Sequence, residues 1–328
     1  MMRVGMFLTT LIIGAQAIAG IVELSNIYDD KFTYFLPQAT IVDYLKGGGF
    51  DYDGEYTESE RSSINIDIEE IYKSYCGTVS EPIAVISAGA PGAGKTVLLE
   101  QLLKLDEYQG YGYIDPDAVC LKNMSHTYLP DLIRSVGTIK CSSYEECLKE
   151  ELKVRKDAYT KWRPASNAAA HIILGNFIRE KKAFFYGTTS TSSDIAARFQ
   201  LLKDNGYKIH LIHVSAPDAV RWKSIHLRDK EFVQTTEVDV NEKGKLVPQR
   251  LGTYLQYADK IDFYYRDRAD GDAVLAATWT KDSKSLMVKS NSAYPNMVEL
   301  HDSACAKLER TDISWGESLL AMCNLSQQ

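Results

Sequence analysis

One eight-residue segment constrains the fold more than any other part of the chain. It fits the pattern G-x-x-x-x-G-K-[ST] and consists of Gly89, Ala90, Pro91, Gly92, Ala93, Gly94, Lys95 and Thr96. A short apolar segment at 83–88 precedes it, and strong helix formers follow at 97–103. In such a loop the backbone N–H groups turn toward phosphate oxygens, the lysine adds positive charge, and the threonine hydroxyl is a ligand for Mg²⁺. The order of strand, loop and helix therefore predicts a phosphate-binding P-loop in an α/β fold, with the positive end of the helix facing the phosphates.

The charge of the 328-residue chain limits the classes of partner. The formal net charge is −7, and no block of lysine and arginine residues occurs. Because binding to a nucleic-acid backbone depends on such blocks, we do not expect a nucleic-acid partner. The composition, with 45% hydrophobic and 25% charged residues, is that of a globular protein. A small phosphorylated metabolite or a protein remains as the expected partner.

The N-terminus has the pattern of a signal peptide. Arg3 supplies one positive charge, residues 4–13 are mostly apolar, and Ala15, Gln16 and Ala17 form an Ala-x-Ala cleavage site. We predict a signal peptide at 1–19, an exported protein, and no transmembrane span in the mature chain. The alternative is a buried N-terminal helix or strand in a cytoplasmic protein.

Six cysteines are compatible with either compartment. None lies in a Cys-x-x-Cys pair, so a zinc site is not expected. The nearest pairs in sequence are Cys141 with Cys147 and Cys305 with Cys323. An even number suits disulfides in an exported protein, whereas scattered reduced thiols suit a cytosolic one.

Apolar segments that alternate with helical patterns favour a parallel sheet flanked by helices. The predicted strands lie at 83–87, 111–114, 183–186, 208–214 and 261–265. The predicted helices lie at 64–75, 165–181 and 194–204, with one or two more within 295–323. Beyond the signal peptide, we divide the chain into an N-terminal cap at 20–80, a P-loop domain of the NTPase or kinase type at 81–280, and a C-terminal helical extension at 281–328.

Two carboxylates, Asp115 and Asp117, follow the second predicted strand. Ligands of such sheets bind at the carboxyl ends of the strands, where these groups are placed to accept a proton or to hold Mg²⁺ through water. The structural alternative is an Asx turn or a helix N-cap, since Asp-Pro-Asp is a common turn sequence. Beside a P-loop we favour the functional interpretation for both carboxylates.

Six hydroxyl residues follow the third predicted strand, at 188–193. Some of them must cap the next helix. Thr188 and Thr189 come first and are expected to face the crevice and bind an acceptor.

Basic residues follow the fourth predicted strand. We expect Arg228 to neutralise charge on a transferred phosphate, and we expect Arg221 and Lys223 to lie on a solvated face. The polar segment at 229–250 is long enough to be a lid that excludes water. No apolar strand that ends in aspartate, of the Walker B type, follows the P-loop. This favours a small-molecule kinase over a motor ATPase.

Taken in order, these motifs resemble the zeta-toxin family of P-loop kinases. The resemblance extends from 83 to 250, about half of the chain. It rests on the P-loop, on 114–117, on 164–167 opening a helix, on Gly187 with Thr188, and on 214–217 followed by Arg228. The ordered set is more specific than the P-loop, which many enzymes share.

The resemblance implies an ATP- and Mg²⁺-dependent kinase and assigns roles to residues. Lys95 and Thr96 hold ATP and Mg²⁺, and Asp117 is similar to the general base of the family. Arg228 resembles an arginine that contacts the transferred phosphate. Lys245 stands where family members commonly have a second arginine; lysine keeps the charge but loses the bidentate fork of a guanidinium.

The acceptor pocket departs from the family pattern. The best-studied members phosphorylate the 3′-hydroxyl of the amino sugar of UDP-N-acetylglucosamine and bind this substrate with acidic residues. Here Tyr186 precedes Gly187 where glutamate is usual, and His171 occupies a helix position that is often acidic. Both differences remove negative charge from the pocket.

We therefore expect an enzyme that transfers the γ-phosphate of ATP to a hydroxyl of a small metabolite, of which a nucleotide sugar is one example. An inhibitory protein partner is a further expectation. One alternative is a nucleotide-binding regulatory protein with little catalysis. Another is a kinase that acts on a protein or on a nucleic-acid end, although the negative net charge argues against nucleic acid.

Overall fold

The computed structural model describes residues 56–230, 232–283 and 285–324, with side chains up to Leu319. Within them, seven strands form one sheet in the order β2, β3, β1, β4, β5, β6, β7. The strands are β1 (Ile83–Ala88), β2 (Gly112–Ile114), β3 (Phe184–Tyr186), β4 (Lys208–Ser215), β5 (Lys260–Tyr265), β6 (Val274–Thr280) and β7 (Ser285–Val288). The predicted signal peptide and most of the predicted cap lie outside the described residues.

The first five strands are parallel, and they are the five that the sequence predicts. Strand β1 lies in the middle of this part of the sheet, between β3 and β4. Its residues after Ile83 are all buried. A near-continuous apolar run of this kind is typical of a parallel strand that is covered by helices on both faces.

Ten α-helices accompany the sheet in the described part of the chain. They are α1 (Glu58–Tyr75), α2 (Lys95–Leu102), α3 (Tyr128–Gly137), α4 (Tyr144–Arg179), α5 (Ile195–Asp204), α6 (Asp218–Arg228), α7 (Glu237–Leu246), α8 (Leu251–Tyr257), α9 (Ala293–Lys307) and α10 (Trp315–Asn324). Short helical turns lie at Asp106–Tyr108, Pro116–Cys120, Leu121–Asn123 and Val247–Arg250.

Helix α4 differs most from its prediction. It is one helix of 36 residues, and Pro164 lies inside it rather than at its start. Its N-terminus is instead defined by Ser143, whose side chain accepts the backbone N–H of Glu146. Tertiary packing overrides the local preference of proline here, since most α4 residues from Trp162 onward are buried.

The C-terminal segment belongs to the same sheet as the P-loop domain. Strand β7 pairs antiparallel with β6, which pairs antiparallel with β5. The predicted boundary at 280 therefore falls between two hydrogen-bonded strands. Helix α9 packs against both β5 and β6, so residues 281–319 contribute to the main core rather than forming a purely helical extension.

Helix α1 also packs into the main core, through Ile64, Ile68 and Ile71. A buried carboxylate fixes its position: Asp67 accepts hydrogen bonds from the backbone N–H of His126 (2.9 Å) and the hydroxyl of Thr127 (2.6 Å). The described part of the predicted cap is therefore anchored to the segment before α3.

One of the two cysteine pairs that the sequence suggests forms a disulfide in the structure. Cys141 and Cys147 form a disulfide at the start of α4, with a Cα–Cα distance of 5.3 Å. Cys305 is a free, buried thiol whose Sγ donates to the carbonyl oxygen of Pro248, so it does not form the second suggested bond. Among the described residues, no helix is both long and apolar enough to cross a membrane.

Candidate active site

A cavity of about 1090 Å³ contains most of the residues that the sequence singles out. It is lined by the P-loop and by Asp115, Asp117, His171, Tyr186, Thr188, Thr189 and Arg228. Ligand pockets usually measure about 300–1,000 Å³. The volume therefore accommodates a nucleotide together with a second small molecule.

The P-loop forms the floor of one end of this cavity. Pro91, Gly92, Gly94, Lys95 and Thr96 line it. Gly94 has a φ of 101° and directly precedes α2, a left-handed conformation that favours glycine. The three other predicted residues support the loop from behind: Gly89 packs on the Val214 carbonyl, Ala90 accepts a hydrogen bond from Lys95, and Ala93 is buried in the core.

Lys95 is partly buried in the P-loop. Its Nζ donates to the carbonyl oxygen of Ala90 at 3.0 Å. Burial lowers the pKa of Lys95 to about 7, which the Asp115 carboxylate opposes and the Arg221, Lys243 and Arg228 charges reinforce. Bound phosphate would place negatively charged oxygens beside the Lys95 ammonium and so favour its charged form.

Arg221 binds the P-loop from α6, so the prediction that it lies on a solvated face was wrong. Its side chain is buried; Nε donates to the Pro91 carbonyl (3.0 Å), and Nη2 donates to the Val240 carbonyl of α7 (2.9 Å). Gly92 and Gly244 allow this approach, because a Cβ at either position would meet Arg221 atoms within 3 Å. Arg221 thereby connects α7, which lies within the predicted lid segment at 229–250, to the P-loop. Lys223, by contrast, is exposed as expected.

Asp115 caps the short helix Pro116–Cys120, as the structural alternative proposes. Its Oδ1 accepts the backbone N–H groups of Asp117 (2.8 Å) and Ala118 (2.7 Å). Burial raises the pKa of Asp115 to about 6, and repulsion from Asp117 adds to the shift. Its Oδ2 fills the space beside Gly187, where a Cβ would lie only 2.0 Å away. This close approach explains why glycine follows strand β3.

Asp117 faces Arg163, a residue of α4 that the sequence analysis missed. Arg163 Nε lies 3.1 Å from Asp117 Oδ1, but it donates its hydrogen bond to Tyr159 Oη (2.9 Å). Asp117 Oδ1 therefore accepts no hydrogen bond in the described structure. Burial raises the pKa of Asp117, and Arg163, Arg228 and Lys243 oppose that rise. The result is a carboxylate held by charge whose lone pairs are available to accept a proton.

Arg228 and Lys243 line the same cavity as the P-loop and Asp117, and their charges act on both Lys95 and Asp117. Arg228 Nη2 donates to Asp229 (3.2 Å), while its Nε is buried without a hydrogen-bond partner among the described residues. Lys243 occupies the position in the cavity that we had expected for Lys245. Lys245 is exposed and does not line the cavity. Residues two apart on a helix point to nearly opposite sides, and Lys243 faces the cavity with Glu242 and Leu246.

Arg266 is a second basic residue at this end that the sequence analysis missed. It directly follows β5, lines the cavity, and its Nη1 lies 3.1 Å from the place of a Cβ on Gly94. Its Nε donates to the Gly271 carbonyl (2.8 Å) and its Nη1 to the Ser224 hydroxyl (3.2 Å). Its position after a parallel strand was the available signal.

The far end of the cavity contains a pair formed by Tyr186 and Arg198. Arg198 is buried on α5; it donates from Nη1 to Tyr186 Oη (2.9 Å) and from Nη2 to Asp194 (3.0 Å). His171 of α4 lines the same cavity. The sequence analysis missed Arg198, although its i, i+4 spacing from Asp194 on a predicted helix was a signal for the ion pair.

The hydroxyl residues that follow β3 have two roles: some support the loop, and others line the cavity. Ser87 Oγ donates to the Thr188 carbonyl (2.7 Å), Ser190 Oγ donates to the Ser87 carbonyl (2.7 Å), and Tyr254 Oη donates to the Ser190 carbonyl (3.0 Å). Thr188 and Thr189 line the cavity, and their side chains are half-buried. The structure thus brings both residues to the place that the sequence analysis expects.

The side chains of the cavity fit Mg²⁺ only as an ion that arrives bound to ATP. Among the described residues, no group of three or more histidine, cysteine or carboxylate side chains is placed to hold a metal. Thr96 lines the cavity and offers one hydroxyl oxygen. Mg²⁺ is commonly bound by one or two protein ligands, phosphate oxygens and water, an arrangement with which a single hydroxyl is compatible. The Oδ1 atom of Asp115 is already occupied by two backbone N–H groups.

Comparison with known proteins supports the fold. The sequence matches no known family profile and no curated protein. The solved complex of AvrRxo1-ORF1 and -ORF2 with ATP aligns over 91% of this chain and 95% of its own, with 14% identity and a TM-score of 0.50. A structure of the PezAT chromosomal toxin–antitoxin system of Streptococcus pneumoniae aligns over 78% of this chain and 96% of its own, with 15% identity and a TM-score of 0.49. The predicted fold class, a mostly parallel sheet flanked by helices around a P-loop, is confirmed.

Proposed function

We propose that this protein is an ATP-dependent phosphotransferase that transfers the γ-phosphate to a hydroxyl of a small metabolite. The observation that carries the proposal is a juxtaposition: the P-loop and a carboxylate whose Oδ1 accepts no hydrogen bond line one cavity. A kinase requires a base near the acceptor, whereas nucleotide binding alone does not. The ATP present in the AvrRxo1 complex supports the choice of nucleotide.

The donor end binds the phosphates. Backbone N–H groups of the P-loop and the Lys95 ammonium surround the β- and γ-phosphates. Arg228 supplies its unpaired Nε–H to the γ-phosphate, and Lys243 adds a second charge beside it. When Mg²⁺ accompanies ATP, it neutralises phosphate charge, and Thr96 is the residue that would hold it.

Asp117 acts on the acceptor. The acceptor oxygen attacks the γ-phosphorus while its proton passes to the Asp117 carboxylate, and the bond from phosphorus to the β,γ-bridging oxygen breaks. The products are ADP and a phosphate ester. Arg163 keeps Asp117 ionised in its buried position, and such a positioned base contributes about 10²- to 10⁴-fold to the rate. Helix α7, tied to the P-loop through Arg221, limits the access of water to the γ-phosphate.

The test is transfer from labelled ATP. The full-length protein is incubated with Mg²⁺, γ-labelled ATP and a metabolite extract, and labelled products are identified by mass spectrometry. A phosphorylated metabolite that appears with the wild type and is absent with Lys95→Ala and Asp117→Asn supports the proposal. ATP binding without any transfer would instead favour a regulatory nucleotide-binding protein. UDP-N-acetylglucosamine is the first single compound to test, because the zeta-toxin resemblance names it.

Two further parts of the proposal concern the biological setting. The resemblance to zeta toxins suggests a toxic kinase with an inhibitory protein partner; growth arrest on expression of the wild type but not of Asp117→Asn tests the toxicity. Export rests on residues 1–19 alone, and N-terminal sequencing of the protein from its native host tests it. A mature chain that begins near Ile18 or Gly20 supports export, and an intact Met1 contradicts it.

A further inference from the structure

The hydroxyl of Tyr159 connects the predicted lid segment at 229–250 to Arg163. It donates to the backbone carbonyl of Gln234 at 3.0 Å and accepts the Nε–H of Arg163 at 2.9 Å. Burial raises the pKa of Tyr159, so the hydroxyl keeps its single proton at neutral pH. Because that proton is directed to Gln234, a lone pair of the hydroxyl faces Arg163.

This hydrogen bond decides what Arg163 offers to the candidate base. Arg163 Nε lies 3.1 Å from Asp117 Oδ1, which is within hydrogen-bonding distance. Its one hydrogen is directed to Tyr159 instead, and Asp117 Oδ1 accepts no hydrogen bond from any described residue. Arg163 Nη1 donates to the Ser166 hydroxyl at 3.3 Å. At its closest contact with Asp117, the guanidinium therefore acts through its charge and not through a hydrogen bond.

The difference between a charge and a hydrogen bond matters for a base. A nearby positive charge keeps a buried carboxylate ionised. A hydrogen bond to one of its oxygens would in addition lower the affinity of the whole group for a proton, since the two oxygens share the negative charge. A base becomes less efficient as its pKa falls further below the operating pH. The hydroxyl of Tyr159 thus leaves Asp117 ionised without weakening it further as a base.

Local structure holds these groups in register. Tyr159 and Arg163 are four residues apart on α4 and are therefore neighbours on one face of the helix. The guanidinium carbon of Arg163 lies 5.9 Å from the centre of the Tyr159 ring. Tyr159 is 4% exposed, so its ring has a fixed position in the core, and both residues line the cavity. Asp117 is held opposite them by the turn that Asp115 caps.

We propose that Tyr159 is a positioning residue for phosphate transfer: by accepting the Nε–H of Arg163, it keeps this donor from bonding to Asp117, so that the carboxylate remains an effective base. The inference rests on the proposed function and adds a residue that acts through Arg163 rather than on the substrate. Because the same hydroxyl donates to Gln234, the predicted lid segment supports the arrangement.

The first test is a crystal structure of Tyr159→Phe, which keeps the ring and removes the hydroxyl. Arg163 Nε–H then lacks its acceptor and is expected to turn to Asp117 Oδ1. The plane of the guanidinium, which fixes the direction of Nε–H, is the readout. A guanidinium that keeps its present orientation would overturn the proposal, whatever the activity of the protein.

The second test is kinetic. Full-length protein, Mg²⁺, γ-labelled ATP and the metabolite extract are used in single-turnover transfer. The rate at saturating Mg·ATP should fall about tenfold in Tyr159→Phe, as for one hydrogen bond to a charged group that the base has to break, while KM for Mg·ATP changes little. Equal changes in the rate and in KM would contradict a role that acts through the base.

Tyr207→Phe is the matched control. It also removes a buried hydroxyl that bonds to backbone carbonyls, those of Phe177 and Lys182 at 2.9 Å, but Tyr207 does not line the cavity. The control should transfer phosphate at the wild-type rate. A tenfold loss in Tyr207→Phe as well would attribute the effect to lost packing and overturn the proposal.

A double variant tests whether Tyr159 acts through Arg163. In Arg163→Met the donor is absent, so the addition of Tyr159→Phe should cause no further loss of rate. The same tenfold loss in that background would overturn the proposal. If the wild type transfers phosphate and Tyr159→Phe transfers it equally fast, only the role of Tyr159 fails; if the wild type transfers none, the proposed function fails with it.

Discussion

The two ends of the cavity are built in different ways. The donor end comes from one continuous segment, 89–96, whose glycines and lysine are readable in the sequence. The acceptor end is assembled from Arg163 on α4, Tyr186 at the end of β3 and Arg198 on α5. A phosphate is always the same ligand, so a local backbone motif suffices to bind it. An acceptor varies, and its recognition requires side chains from several elements.

The ends also differ in the state of their buried polar groups. At the donor end, the Arg221 guanidinium donates to the carbonyl oxygens of Pro91 and Val240 and to the Asp218 carboxylate. At the acceptor end and at the boundary between the two ends, Asp117 Oδ1, Arg198 Nε and Arg228 Nε are unpaired among the described residues. Buried polar atoms are usually paired in folded proteins. These three atoms belong to residues that line the cavity, where ligands and reacting groups are expected.

Asp117→Asn is the strongest test of this difference between the two ends of the cavity. The amide keeps the size of the side chain but accepts a proton poorly, so single-turnover transfer should fall about 10²- to 10⁴-fold while Mg·ATP affinity changes little. Rapid-quench kinetics and calorimetry measure the two quantities separately. Asp157→Asn, on the exposed face of α4, is the control. Full transfer by Asp117→Asn would exclude Asp117 as the base and direct attention to Asp115 or His171.

Lys95→Ala tests the donor end. It removes the ammonium from the P-loop, and affinity or turnover with ATP should fall about a hundredfold or more. Calorimetry with Mg·ATP measures the loss. The control is Lys223→Ala, which removes an exposed lysine of α6. Wild-type binding by Lys95→Ala would show that the loop does not bind nucleotide.

Gly187→Ala tests how tightly the acceptor end is packed. The new Cβ would lie 2.0 Å from Asp115 Oδ2, so Asp115 and the turn that it caps must move. Overpacking of this kind costs about 1–3 kcal/mol, measured as a lower free energy of unfolding in urea. Gly252→Ala, where nothing lies within 4 Å of the new Cβ, is the matched control. If the two variants are equally stable, the close approach is not a constraint.

A pH effect on stability concerns the support of the donor end by the C-terminal helices. His213 of β4 and His301 of α9 flank Ser215, whose hydroxyl lies 2.7 Å from His301 Nε2. Burial lowers the pKa of His301 to about 3 and that of His213 well below its usual value; the His301 and Lys95 charges add to the latter shift.

Because both histidines bind protons more readily when the chain is unfolded, stability is fully present above about pH 6.5 and is lost as the pH falls toward their folded-state values. Between pH 6.5 and 5 we expect a loss of about 1.4 kcal/mol per pH unit for each histidine. Urea unfolding at each pH measures it. His301→Gln should reduce the dependence of the free energy of unfolding on pH by the contribution of one proton. An unaltered dependence in that variant would mean that His301 titrates normally.

Much of the fold was predictable from local patterns. The five parallel strands are continuous apolar runs, and their order with intervening helices predicts the sheet. Strands β6 and β7 were missed because each is only partly buried, so that neither is a continuous apolar run. The start of α4 was missed because Pro164 indicates a helix start locally, whereas the burial of the helix on the sheet keeps it continuous.

The sequence by itself determined the phosphate-binding end of this protein. Spacing alone identifies Lys95 and Thr96, because the phosphate-binding groups of a P-loop lie within one short segment of the chain. Only the tertiary structure decided the opposite end. Arg163, Arg198 and Lys243 reach the cavity through the length of α4, the position of α5 and the rotation of α7. These depend on packing between elements far apart in sequence, which no local pattern records.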